Sequence, residues 1–132
     1  MEKFSSIYER ACERHGGAKA VARLMPKSRS ARALATTKNN RWLSEMTHCI
    51  FQAGFVWRVV DRKWDDFEDV FFGFPPEKIL MLSPDQIDRF AQNPRIIRNR
   101  QKVLSIQANA QYIVDIQQEH GSFGRFVSRW PE

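Results

Sequence analysis

The sequence predicts an all-α fold, a compact multi-helix domain, on three observations. Apolar residues recur at three- and four-residue spacing along most of the chain, residues that start and stop helices punctuate those stretches, and no alternating run is long enough for a strand. The 132 residues suffice for one cored domain, and ten Phe with four Trp supply the burial that offsets chain entropy.

Phe4, Ile7, Tyr8, Ala11 and Cys12 fall at helical spacing, and Gly16-Gly17 ends that first helix where glycine accepts a left-handed cap. A short helix follows over Ala18 to Met25, closed by Pro26, and Lys27-Ser28-Arg29-Ser30 reads as a cationic loop with Ser30 capping the next turn. From Asn40, taken as a cap, Leu43, Met46, Thr47, Ile50, Ala53 and Gly54 share one face of an amphipathic helix. Its continuation through Phe55 to Val70 carries Phe55, Trp57, Trp64 and Phe67, with Asp65, Asp66, Glu68 and Asp69 suited to the positive end of a helix, and Phe74-Pro75-Pro76 breaks it. Ser83-Pro84-Asp85-Gln86 has the cap, first-turn proline and third-residue amide of a helix start, and that helix stops near Asn93-Pro94. The segment after Pro94 is the longest helix, with Val103, Ile106, Ala110 and Ile113 on its apolar face and Asn99 near that face. Gly121 and Gly124 flank its end, and Phe123, Phe126, Val127 and Trp130 form one more short helix.

Charge is unevenly spread. Residues 1–38 hold nine Lys/Arg against three acids, residues 39–94 six against nine, and residues 95–132 six against three. Two basic flanks around an acidic middle favour a polyanionic partner, nucleic acid ahead of membrane because no strongly basic helix with a wide apolar face occurs. No stretch approaches the roughly 20 apolar residues of a membrane span, and Met1-Glu2-Lys3-Phe4 lacks a signal-peptide layout, so the expected compartment is the cytoplasm. Cys12 and Cys49 suggest no disulfide framework. Domain organisation reads as a basic helical extension, 1–38, on a helical body, 39–132, packed as one unit.

No phosphate loop, dinucleotide fingerprint, zincin helix or serine elbow is present. His15, His48 and His120 with the two cysteines lack metal-ligand spacing, so neither metal nor other cofactor is expected. His48 and Cys49 point about 100° apart as helix neighbours and do not make a catalytic pair. The run Arg95-Ile96-Ile97-Arg98-Asn99-Arg100-Gln101-Lys102 stands out. Read as helix, it places Arg95, Arg98 and Lys102 on one flank, able to rest on phosphates, with Arg100 on the other flank toward the acidic middle. A solvated or ion-paired face is the alternative reading.

Leu43-Ser44-Glu45-Met46, Gln52-Ala53-Gly54-Phe55-Val56-Trp57, Ile96-Ile97-Arg98-Asn99-Arg100-Gln101-Lys102 and Asn109-Ala110, in that order, resemble the DNA-3-methyladenine glycosylase I family from about Arg41 to Trp130. The resemblance implies a helical repair enzyme of the helix-hairpin-helix superfamily, which flips an alkylated adenine from duplex DNA and hydrolyses its N-glycosidic bond. By the same resemblance Trp57 lies in the base pocket, Gln52 and Phe55 lie at the DNA-side rim with Phe55 as a wedge, and Arg95, Arg98 and Lys102 lie near the DNA backbone. Without it, Trp57 reads as an ordinary core aromatic.

The chain departs from the family at Cys49, which takes the place of the base-recognising Glu and offers no carboxylate to an adenine edge. The family's N-terminal element with its first zinc ligands is replaced by basic helices, and the C-terminal hairpin that binds the DNA backbone lies beyond Trp130-Pro131-Glu132, so no zinc is expected. Three readings follow: a DNA glycosylase, a non-catalytic relative that binds DNA or protein, and a plain helical domain. Self-association is expected as one way to cover the helix face that the hairpin covers in the family.

Overall fold

The computed structural model describes residues 2–130, and among them ten helices form and no strand. They are α1 Phe4–His15, α2 Ala18–Leu24, α3 Ala31–Ala35, α4 Asn39–Gln52, α5 Trp57–Arg62, α6 Trp64–Val70, α7 Pro76–Leu80, α8 Pro84–Ala91, α9 Arg100–His120 and α10 Phe123–Ser128. The all-α expectation holds. Most boundaries follow the sequence signals: Gly16 closes α1 in the left-handed region, Ser30 caps α3, and Ser83 with Gln86 forms a capping box on α8.

Two local expectations are corrected. α4 starts two residues early, with Lys38 in the cap position, and Asn40 instead donates its amide to Gly73 O at 3.1 Å. The stretch from Phe55 to Val70 is two helices rather than one, because the chain breaks at Lys63 between α5 and α6. α6 ends at Val70, as expected, and the turn begins ahead of the prolines: Phe72, Gly73 and Phe74 all take positive φ, and Gly73 N reaches back to Glu68 O at 2.7 Å. Two phenylalanines in the left-handed region cost roughly 1–2 kcal/mol each. Full burial of Phe74 and the use of Gly73 O as acceptor for both Asn40 and Arg41 hold this turn.

The 21-residue α9 is the spine, about 30 Å long, and α4, α7, α8 and α10 all pack on it. Its buried face is Val103, Ile106, Ala110 and Ile113, as the spacing requires. Between α4 and α6 lies an aromatic stack. Phe67 meets Phe51 edge-on at 4.7 Å and stacks on Trp64 at 5.0 Å, and Phe71 and Phe74 extend the group.

α1 and α2 pack on each other, whereas α3 joins the body through α10. The close approach there falls at Gly124, where an added Cβ would stand 2.4 Å from the backbone oxygen of Leu34 and 3.0 Å from that of Thr37. Backbone cannot move aside as a flexible side chain does. Gly124→Ala is therefore expected to destabilise the chain by about 2–3 kcal/mol, read as a lower urea midpoint, with loss of the α3 contact.

Glu68 ties α6 to α4. It accepts from Arg41 Nη1 at 2.9 Å, Arg41 Nη2 at 2.8 Å and Ser44 Oγ at 2.5 Å. Burial pushes its pKa up, but the Arg41 and Ser44 hydrogen bonds outweigh that and hold it below its ordinary 4.5. A depressed folded-state pKa contributes stability that is complete above about 4.5 and is lost as pH falls through the lower folded value. Unfolding midpoints measured down to about pH 3 should show an acid-side slope that Glu68→Gln reduces.

Candidate nucleic-acid interface

α4 ends at Gln52 and the chain turns sharply at Gly54, whose φ of +66° is open to glycine at little cost. Phe55 N closes the turn on Gln52 O at 3.1 Å, and α5 begins at Trp57. The residues between are apolar yet project outward: Phe55 is 44% exposed and Trp57 65%. The core-aromatic reading of Trp57 is thus overturned. Its indole stands open at the surface, at the first residue of a helix, where backbone conformation and not packing fixes it.

The cationic run lies at the same end, but not as one helix. Asn99, extended, is the cap of α9, its side chain accepting from Lys102 N at 3.1 Å, so Arg95 and Arg98 precede the helix and the expected common flank does not form. Asn99 is correspondingly a capping residue and not part of the buried face. Arg95 binds Asp66 and Asp69 on α6, with Nε–Oδ1 at 3.0 Å and Nη1–Oδ2 at 2.6 Å. Arg100 binds Asp88 on α8 at 2.7 Å, as the acidic middle segment suggested. Arg98 is exposed and, among the described residues, has no hydrogen-bond or ion-pair partner.

Lys102 links the two motifs. Its ammonium donates to Phe51 O at 3.2 Å and to Ala53 O at 2.6 Å, the carbonyls that α4 leaves unpaired at its C-terminus. The lysine of the second motif therefore caps the helix of the first, which fixes the Gly54 turn and hence where Phe55 and Trp57 emerge. Lys102→Met is expected to cost about 1–3 kcal/mol of stability, measured by urea unfolding. Arg98→Ala should leave stability within about 0.5 kcal/mol.

A second brace was not visible in the sequence. Asp61 on α5 accepts from Gln52 Nε2 at 3.0 Å and faces His48 Nε2 at 2.8 Å, while the His48 ring meets Trp64 edge-on at 4.5 Å. Gln52, expected at the rim, is thus partly buried and turned to hold α5 against α4. His48 and Gln52, four apart on α4, were a legible pair; their partner thirteen residues on carried no signal. Lys63 was likewise missed: its ammonium donates to Pro94 O at 3.0 Å and Arg95 O at 3.1 Å, pinning the loop before α9.

Cys49 is exposed and free, one turn after Glu45 on the outer face of α4. Cys12 is half-buried on α1 and also free. Among the described residues, no group of three or more His, Cys, Asp or Glu side chains is placed to hold a metal ion. No helix among them is long and apolar enough to cross a membrane.

The methyladenine glycosylase family matches residues 33–132. DNA-3-methyladenine glycosylase 1 of Escherichia coli (strain K12) is 32% identical over 76 residues, 58% of this chain and 41% of that protein. DNA-3-methyladenine glycosylase of Haemophilus influenzae gives the same identity over the same shares. A solved structure of 3-methyladenine DNA glycosylase I from Staphylococcus aureus superposes with a TM-score of 0.64 and 29% identity, over 68% of this chain and 48% of that one. The chain spans less than half the length of these relatives. The matched family covers all of α4 to α10, including both motifs that Lys102 joins, and this chain belongs to the methyladenine glycosylase family.

Proposed function

We propose that the chain acts as a DNA-repair glycosylase, removing alkylated adenine from duplex DNA by flipping the base and hydrolysing its N-glycosidic bond. The observation that carries the reading is the Lys102 link, because it holds an exposed wedge, Phe55, and an exposed aromatic face, Trp57, at the end of α9 that the exposed cation Arg98 precedes. Phe55 occupies the gap in the stack, Trp57 receives the extruded base, and Arg98 meets a backbone phosphate.

The chemistry asks little of the protein. Adenine alkylated at N3 is cationic, so when water attacks the sugar C1′ and the C1′–N9 bond breaks, the base leaves neutral without prior protonation and the attacking water gives up its proton to solvent. An indole face favours the cation in the ground state by cation–π attraction, and stacking persists as the bond breaks. Asp61 and Lys102 act as positioning residues for the elements that carry Trp57.

The substrate and partner on this reading is double-stranded DNA with an alkylated base, met in the cytoplasm. Residues 1–38 form a basic extension on the body of 39–132, and the exposed Tyr112 and Trp130 leave an edge for self-association. The non-catalytic reading has one specific support, the thiol of Cys49 where the family places its recognising carboxylate. Alkylated duplex DNA incubated with the chain is expected to release free 3-methyladenine. No release above a Trp57→Ala control would leave the non-catalytic reading.

A further inference from the structure

A cleft of about 640 Å³ opens between the segment after α2 and the first turns of α4, walled by Lys27, Arg29, Lys38 and Arg41, with Trp42 and Glu45 on the α4 side. Several cations of the molecule are already engaged. Arg10, Arg41, Arg95 and Arg100 are each matched to a carboxylate, and Lys63 and Lys102 to backbone carbonyls. Lys27, Arg29 and Lys38 are exposed and, among the described residues, their side chains have no hydrogen-bond or ion-pair partner. With Arg41 neutralised by Glu68, three free cations face the single free carboxylate of Glu45.

One further feature favours an oxygen anion here. No side chain caps the N-terminus of α4, a 14-residue helix whose positive end borders the cleft at Lys38.

We propose that this cleft holds phosphates of the DNA backbone, a contact made in part by residues that precede the family match at residue 33. The inference rests on the DNA-binding reading above and adds to it where the flanking duplex lies. Arg41, Glu45 and Cys49 succeed one another along the exposed face of α4, which leads to the Gly54 turn. From Arg41 to Gln52 the helix rises about 17 Å, or roughly five base-pair steps at 3.4 Å each, so one duplex reaches both the cleft and Trp57. Cations drawn from a loop, a helix cap and a helix face form an open track, suited to a polymer of phosphates more than to one caged ion.

The test is the salt dependence of duplex binding by the full chain. Each phosphate neutralised adds about 0.9 to the slope of log affinity against log salt. The variant Lys27→Ala/Arg29→Ala/Lys38→Ala should lower that slope by about 2–3 and weaken binding tenfold or more at low salt. A control with the same charge loss on α1 and α2, Arg14→Ala/Lys19→Ala/Arg23→Ala, should keep the wild-type slope. An unchanged slope in the cleft variant overturns the inference while leaving the DNA reading intact, and an equal loss in the control reassigns the effect to net charge. Wild-type protein that binds no duplex overturns both. Inorganic phosphate that binds the cleft without displacing DNA, at ionic strength matched with chloride, assigns the cleft to a small anion and overturns the backbone contact.

Discussion

Phe67→Ala is expected to lower the unfolding free energy by about 3–5 kcal/mol, the usual cost of deleting a buried phenylalanine ring and leaving part of its cavity unfilled. Phe67 is fully buried at the meeting point of α4 and α6, with Phe51 edge-on at 4.7 Å and Trp64 stacked at 5.0 Å. These neighbours are themselves locked: Phe51 is fully buried on α4, and Trp64 packs on His48 and Phe74. The site therefore collapses poorly. A domain of this size has about 5–15 kcal/mol in total, so one ring accounts for a large part of it. Urea unfolding should show a much lower midpoint with little change in slope, and Phe67→Leu should cost clearly less, because more of the volume is retained. The loss would also reach the candidate interface, since α6 carries the Asp66 and Asp69 that hold Arg95 and the loop before α9.

The helices were legible wherever the signal was local. The α8 capping box needs only Ser83 and Gln86, and the buried face of α9 needs only its own spacing. Errors arose where a distant partner decided the local structure. Asn40 has the side chain of a cap, but an acceptor thirty-three residues away, Gly73 O, draws it off, and the helix starts at Asn39. Asn39 in turn donates to Gln117 and accepts from Phe123 N at 3.1 Å, tying the start of α4 to the end of α9. The break at Lys63 has no glycine or proline to announce it; the two carbonyls that its ammonium holds lie more than thirty residues on.

The candidate interface was half legible for the same reason. That the two motifs belong together was readable from their order; why they do was not, because it depends on a lysine donating to carbonyls fifty residues earlier. A charge count treats Arg95, Arg98 and Lys102 as equals, although a cation matched to two carboxylates has little charge to offer a phosphate. The exposure of Trp57 runs against its composition, since tryptophan is mostly buried and nothing nearby marks it as open. An exposed aromatic beside an exposed phenylalanine and valine is the feature that needs a function.

That feature leads to the largest expected effect on activity. Trp57→Ala should leave the unfolding free energy within about 0.5 kcal/mol, because a side chain 65% exposed gives up little packing. It should nevertheless lower base release from alkylated DNA by roughly 10- to 100-fold in kcat/KM. Stacking of a base on an aromatic ring is worth about 1–3 kcal/mol and persists as the bond breaks. Cation–π attraction to the charged base, about 0.5–2 kcal/mol, fades as the base becomes neutral, so it strengthens substrate binding more than the transition state. Each 1.36 kcal/mol is about tenfold in rate, so the stacking carries the stated loss. The components separate by substitution. Trp57→Phe keeps a smaller aromatic face and should recover part of the rate, whereas Trp57→Leu keeps apolar area without the π-face and should stay near the alanine variant. A deficit equal for all three would point to shape alone. A full rate in Trp57→Ala would place the extruded base elsewhere, and Phe55, the other exposed ring at the Gly54 turn, would be the next aromatic to substitute.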